Sequence, residues 1–308
     1  VDNPAQASFQ VRVADTYRYV KNFERAAEAY QRVLDYGDKI SAKTRIDVYS
    51  SLGRLYQDWG KPKEAEDSFK SAVQLAESLG DVNLKAQSQL SLANLYFHLF
   101  RYNEALFILQ RLLESANPPD PIALNLKAGI HWARAEYVEA VASFLGAAEI
   151  VHSAKNYSER MLEGSFRVQA AQALADMKRY DEAEEELQKA SEIAEESGNQ
   201  ALVMQTLEQS GKIEIDQGHY EKGLVSLHQA YNIALKLGDH AATTRILTFQ
   251  GFVYEYHLKS PIDAEVCFKK ALNRSMQLSA QDRVSALLNL GSLSLSQGDY
   301  AEAEYYLD

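Results

Sequence analysis

The chain reads as an all-α protein, a superhelical solenoid of about eight stacked helix-turn-helix pairs that fills residues 1–308 as a single array. Three observations predict this. The composition favours helix: only 6 Pro and 15 Gly occur in 308 residues, and 46% of residues are hydrophobic, enough to bury a core. A short apolar pattern recurs eight times at a mean spacing near 40 residues. A second, different signature precedes each copy, as expected when every repeat is a pair of helices.

The recurring pattern is an aromatic residue or Pro, two residues, a small residue, three residues and a large apolar residue. It reads Phe23…Ala26…Tyr30, Pro62…Ala65…Phe69, Tyr102…Ala105…Leu109 and Tyr137…Ala140…Phe144. It continues as Tyr180…Ala183…Leu187, Tyr220…Gly223…Leu227, Pro261…Ala264…Phe268 and Tyr300…Ala303…Leu307. A further small residue follows in most copies, as at Ala72, Ala147, Ala190, Ala230 and Ala271. Two small residues seven apart lie on one helix face two turns from each other, so a neighbouring helix can approach closely there. The large residue between them fills the space beside the contact. The preceding helices carry a small residue and an aromatic three apart, Ala14…Tyr17, Gly53…Tyr56, Ala93…Tyr96, Gly129…Trp132 and Gly251…Tyr254, and a degenerate form at Ala171…Leu174, Gly211…Glu214 and Gly291…Ser294.

Glycine punctuates both joints. Trp59-Gly60-Lys61, Gln217-Gly218-His219 and Gln297-Gly298-Asp299 separate the two helices of a repeat. Leu79-Gly80-Asp81, Ser197-Gly198-Asn199 and Leu237-Gly238-Asp239 separate repeats, with Asp or Asn placed to cap the next helix.

Taken together, Gly53, Tyr56, Gly60, Pro62, Ala65, Phe69 and Ala72 resemble a tetratricopeptide repeat, and the resemblance extends along the whole chain. It implies a right-handed superhelix. The expected repeats span about 8–40, 46–80, 86–117, 121–155, 163–198, 203–238, 243–279 and a truncated 283–308. The spacing exceeds the usual 34 residues. It is similar to the long-repeat arrays of LGN/Pins polarity adaptors, kinesin light chains and bacterial STAND-type signal-transduction regulators. One irregularity is Asn117-Pro118-Pro119-Asp120-Pro121, where the second helix of repeat three should end and the next begin near Pro121. The second helix of repeat four should then run to about Lys155.

The resemblance also implies that first helices line a concave groove that receives a peptide or a partner helix. Counting from the small residues, candidate partner-binding positions are Arg54, Asn94, His98, Asn125, Trp132, Gln169, Gln172, Gln209, Lys212 and Arg245. Asn and Gln can bond both edges of an extended backbone. The chaperone-tail clamp of some tetratricopeptide domains needs clustered cations, and Asp47 and Asp58 near Arg54 and Asn94 argue against it. The acidic run Asp181–Glu196 is expected to be a largely outward, solvated face of a second helix.

Net charge is −11, and residues 1–70 are near balance with 12 Lys/Arg against 11 Asp/Glu, so the acidity lies beyond them. Such a surface disfavours nucleic acid and anionic membrane as partners. Cys267 stands alone, which excludes an internal disulfide and fits a small core residue. The seven His show no metal spacing, and no phosphate loop or nucleophile elbow occurs, so neither catalysis, cofactor nor metal is expected. A cytoplasmic, reducing compartment follows from the lone Cys and the lack of a signal or spanning segment.

The leading expectation is therefore a protein-interaction scaffold. The alternatives are a ligand-sensing regulatory array of a larger signal-transduction protein and an auxiliary segment of an enzyme. The chain starts at Val1 and stops within a motif at Asp308, so it reads as an excised fragment. An uncapped end exposes apolar surface, so either more helix follows or the array self-associates there.

Overall fold

A computed structural model describes residues 3–115, 118–152, 157–276 and 280–308, the side chains of 3, 4, 157, 158 and 280–282 aside. Among the described residues there are sixteen α-helices and no strand. They divide into two compact units, Val1–Ala135 and Glu136–Asp308. The first unit holds α1 (Asn3–Tyr19), α2 (Phe23–Leu34), α3 (Ala42–Asp58), α4 (Pro62–Leu79), α5 (Val82–His98), α6 (Tyr102–Ser115) and α7 (Pro121–Ala133). The second holds α8 (Tyr137–His152), α9 (Tyr157–Asp176), α10 (Tyr180–Ser197), α11 (Gln200–Asp216) and α12 (Tyr220–Leu237). It continues with α13 (His240–Phe252), α14 (Pro261–Ser275), α15 (Ala280–Gln297) and α16 (Tyr300–Leu307).

Each even-numbered helix begins at the first residue of the recurring pattern, and the small positions are the packing contacts. Ala26, Ala65, Ala105, Ala140, Ala183, Ala264 and Ala303 are fully buried, as are the later Ala72, Ala147, Ala190, Ala230 and Ala271. Tyr30, Phe69, Leu109, Phe144, Leu227 and Phe268 are buried between them. Each such side chain contributes about 1.5–3 kcal/mol of hydrophobic stabilisation. The matching small residue on the first helix makes room: a Cβ added at Gly53 would lie 2.6 Å from the Phe69 ring. Leu307 departs from the series and is half exposed.

Within every repeat the turn has the same backbone. The residue two before each even-numbered helix takes positive φ: Gly60, Gly218 and Gly298, but also Lys21, Phe100, Ala135, Lys178 and Lys259. That left-handed conformation costs a non-glycine residue about 1–2 kcal/mol, so at Lys21, Phe100, Lys178 and Lys259 the turn is imposed by packing of the two helices it joins. Between repeats, Gly80, Gly198 and Gly238 end their helices left-handed. Asp81, Asn199 and Asp239 then accept hydrogen bonds from Leu84, Leu202 and Ala242 backbone N–H groups. These caps start the helices upstream of the expected repeat limits, at Val82, Gln200 and His240 rather than 86, 203 and 243.

At the proline irregularity Asp120 caps α7 at Pro121, as expected, and α6 is described as far as Ser115. Asn117 and the segment 153–156, where α8 was expected to end, lie outside the described residues. Two features were not anticipated. Helix α13 passes into a π-helical segment, Val253–His257. And Glu186, within the acidic run expected to face outward, is buried.

Candidate functional site

All ten expected groove residues lie on odd-numbered helices. In the first unit these are Arg54 on α3, Asn94 and His98 on α5, and Asn125 and Trp132 on α7. Arg54 and Asn94 follow the buried small residues Gly53 and Ala93 and are exposed. Arg54 donates to Ser51 Oγ at 3.3 Å. Burial pushes the nearby Asp47 carboxyl above its usual range, against the pull of Lys43 and Arg54. Asp47 also lines a cleft of about 390 Å³ between α1 and α3, with Val11, Arg12, Thr44 and Ser51.

His98 sits at the C-terminal end of α5, beside the turn at Gly60, where it lines a smaller cleft of about 310 Å³. It therefore belongs to the turn edge of the helix pair rather than to the middle of the face. Trp132 is 36% exposed, and Asn125 is half-buried with its Oδ1 buried and unpartnered.

In the second unit, Gln169 and Gln172 stand on α9, Gln209 and Lys212 on α11, and Arg245 on α13. All three Gln are half-buried. Gln169 Nε2 donates to the Ser165 carbonyl one turn back. Neither Gln172 nor Gln209 makes a side-chain hydrogen bond among the described residues, so both amides keep donor and acceptor free. α9 and α11 pack directly against each other, which brings the two amides onto neighbouring helices.

Beside them is a charge cluster that sequence reasoning did not single out. Glu208 is 3% exposed, and Arg245 grips it with Nε at 2.8 Å and Nη2 at 2.7 Å. Lys212 donates to the same carboxylate at 2.7 Å. Burial raises the cost of charging Glu208, but the bonds from Arg245 and Lys212 outweigh it and hold the carboxyl below the usual range. Lys212 and Arg245 thus share one buried carboxylate and leave one surplus positive charge on this face. The sequence signal was Glu208 and Lys212 four apart on one helix, with Arg245 supplied by the next repeat.

A second buried network joins α8, α9 and α10. Arg167 bonds Glu163 Oε1 (Nε, 2.9 Å), Glu186 Oε2 (Nη1, 2.7 Å) and Glu149 Oε1 (Nη2, 3.1 Å). Lys189 also reaches Glu186, and His152 Nδ1 lies 3.0 Å from Glu163. Arg167 and Glu163 are almost fully buried. Such a network sets the packing of three helices and presents little to a partner.

Cys267 is buried on α14, and burial pushes its thiol up to about 11, so it is a core residue and a poor nucleophile. Among the described residues no group of His, Cys, Asp or Glu could hold a metal ion, and no helix is long and apolar enough to cross a membrane.

Helix pairs with small residues at their contacts and a left-handed turn inside each repeat define the class: an all-α solenoid of helix-turn-helix repeats. A tetratricopeptide repeat family model matches residues 5–78 and 44–117, and that of the anaphase-promoting complex, cyclosome, subunit 3 matches 98–190. The chain is a tetratricopeptide repeat protein.

No curated protein matches it. Among solved structures it is similar to the apo quorum sensor NprR from B. thuringiensis, with TM-score 0.66 and 13% identity over 97% of this chain and 85% of that one. It is similar also to a STAND protein with a tetratricopeptide repeat sensor from Pyrococcus horikoshii (TM-score 0.63, 17% identity), covering 98% of this chain and 46% of that one. A Rap protein complexed with Competence and Sporulation Factor gives TM-score 0.61 at 15% identity over 97% and 84% of the two chains. At these identities the likeness speaks for the fold.

Proposed function

We propose that each of the two units acts as an interaction array, not an enzyme, whose first-helix face takes an extended peptide or helix of a partner protein. The observation that carries this reading is the face formed by α9, α11 and α13. There the unpaired amides of Gln172 and Gln209 stand beside Lys212 and Arg245, which share the one carboxylate of Glu208. Amides with free donors and acceptors can bond a peptide backbone without reading its sequence, and a single surplus charge orients it. Arg54, Asn94, His98, Asn125, Trp132 and Gln169 extend the same proposal. A cytoplasmic setting suits a chain with one buried thiol. The exposed Tyr300, Tyr305 and Leu307 of α16 offer a face for self-association.

The experiment is selection of short random peptides displayed on phage by the full chain, repeated with Asn94→Ala plus Gln172→Ala. The double variant should keep its melting temperature and lose most of the enrichment. Equal enrichment by both chains would remove the first-helix face from consideration. A second reading, a ligand-sensing array within a larger signal-transduction protein, draws support from the STAND neighbour that carries a tetratricopeptide repeat sensor.

A further inference from the structure

On the opposite side of α13 from Arg245 lies a cleft of about 760 Å³, between the second helices α12 and α14. Leu247 and Gln250 are turned about 140–160° round the helix from Arg245, so the cleft and the first-helix face are separate surfaces. Leu247, Gln250 and Tyr254 form its floor; Leu224 and Val225 on α12 and Val266 on α14 form its walls. Its size falls within the about 300–1,000 Å³ usual for small-molecule sites. The π-helical segment begins at Val253, where a wider turn replaces the regular one beneath the cleft, as single π turns do at many functional sites.

The floor carries a free amide. Gln250 is 7% exposed and lines the cleft, yet its side chain makes no hydrogen bond among the described residues. Its amide atoms are not among the fully buried, unpartnered polar atoms, so they meet solvent within the cleft and are open to a ligand. The Gln250 amide presents one acceptor and two N–H donors beside the apolar side chains of Leu224, Val225, Leu247 and Val266. The mouth carries Glu221 and Asp263 against Lys270, with His228 between, so it favours neither a strong anion nor a strong cation.

We propose that this cleft is a binding site for a small uncharged molecule that joins an amide to an apolar body. The ligand amide pairs with Gln250 in both directions, and the apolar part fills the space between Val225 and Val266. Its position on the second-helix side makes it additional to the peptide-binding face, and it stands whether or not that face binds peptide.

The test is methyl NMR of the full chain, labelled at Leu and Val, titrated with N-hexylacetamide and, separately, hexyl acetate. The ester has the same apolar tail and a carbonyl but no N–H. Saturable shifts confined to Leu224, Val225, Leu247, Leu258 and Val266 are expected, with the amide bound about tenfold more tightly than the ester. Gln250→Leu, close in volume, should bring the two probes to parity. Val266→Trp, at an exposed wall position, should block both while the melting temperature stays unchanged. Scattered or absent shifts would overturn the site. Amide preference that survives Gln250→Leu would overturn the role of Gln250, and with it the ligand class.

Discussion

Replacing Arg167 by Met tests the largest buried electrostatic feature of the second unit. The guanidinium holds Glu163 and Glu186, whose side chains are 2% and 10% exposed. Without it, Glu186 keeps Lys189 and Glu163 keeps only the His152 contact. Breaking a buried ion pair by removing one partner costs about 3–5 kcal/mol. A stranded carboxylate can escape by taking a proton, which bounds the penalty. At pH 7 that costs about 1.36 × (7 − 4.3), or about 3.7 kcal/mol, and at pH 5 only about 1 kcal/mol. Arg167→Met should therefore lose about 3–4 kcal/mol at pH 7, and the deficit should shrink by more than half at pH 5. Guanidinium unfolding followed by circular dichroism measures the loss. Hydrogen exchange should place it in α8, α9 and α10. A cost below about 1 kcal/mol at pH 7, or one independent of pH, would refute the premise that these carboxylates depend on Arg167. Adding Glu163→Leu and Glu186→Leu should restore most of the stability, because an apolar trio of similar volume needs no counter-charge.

Two further outcomes follow from local geometry. Lys259→Gly relieves a left-handed residue at an exposed turn and should stabilise the chain by about 0.5–1 kcal/mol in the same unfolding assay, whereas unchanged or lower stability would mean the turn carries no strain. Glu66 is desolvated, but bonds from Arg101, Lys70 and Tyr96 outweigh that and hold its carboxyl at about 2, against an ordinary 4.5. Its folded value is depressed, so its contribution is present above pH 4.5 and lost as pH falls toward 2. Glu66→Gln should flatten the stability profile in that window, and a profile identical to the parent chain would show that Glu66 is not the titrating group.

The helix pairs were legible because the constraint is local and repeated. A small residue at Ala65 or Ala183 is required wherever two helices touch, and a period near 40 residues exposes it without any knowledge of the contact. Helix ends were legible where glycine or proline marks them, as at Gly80 and Pro121. They were missed by a few residues where the cap itself starts the helix, as at Asn199. The turns at Lys21, Phe100 and Lys259 carried no glycine to announce a left-handed residue. Packing of the two helices imposes it there.

The polar groups divide in the same way. Placement on a first-helix face follows from counting, so Gln172, Gln209, Lys212 and Arg245 could be named from spacing alone. What each side chain then bonds to is set by a neighbour one repeat away. Glu208 lies 37 residues from Arg245, and Glu186 lies 19 from Arg167. Their burial depends on how deeply adjacent helices interlock. The sequence by itself determined the repeat, the helix faces and the small contacts, because each is a property of one helix and its period. Only the tertiary structure decided which charges are buried, which cations share a carboxylate, and that the Gln250 amide on α13 opens into a cleft. Those outcomes depend on distances between helices that no single helix encodes.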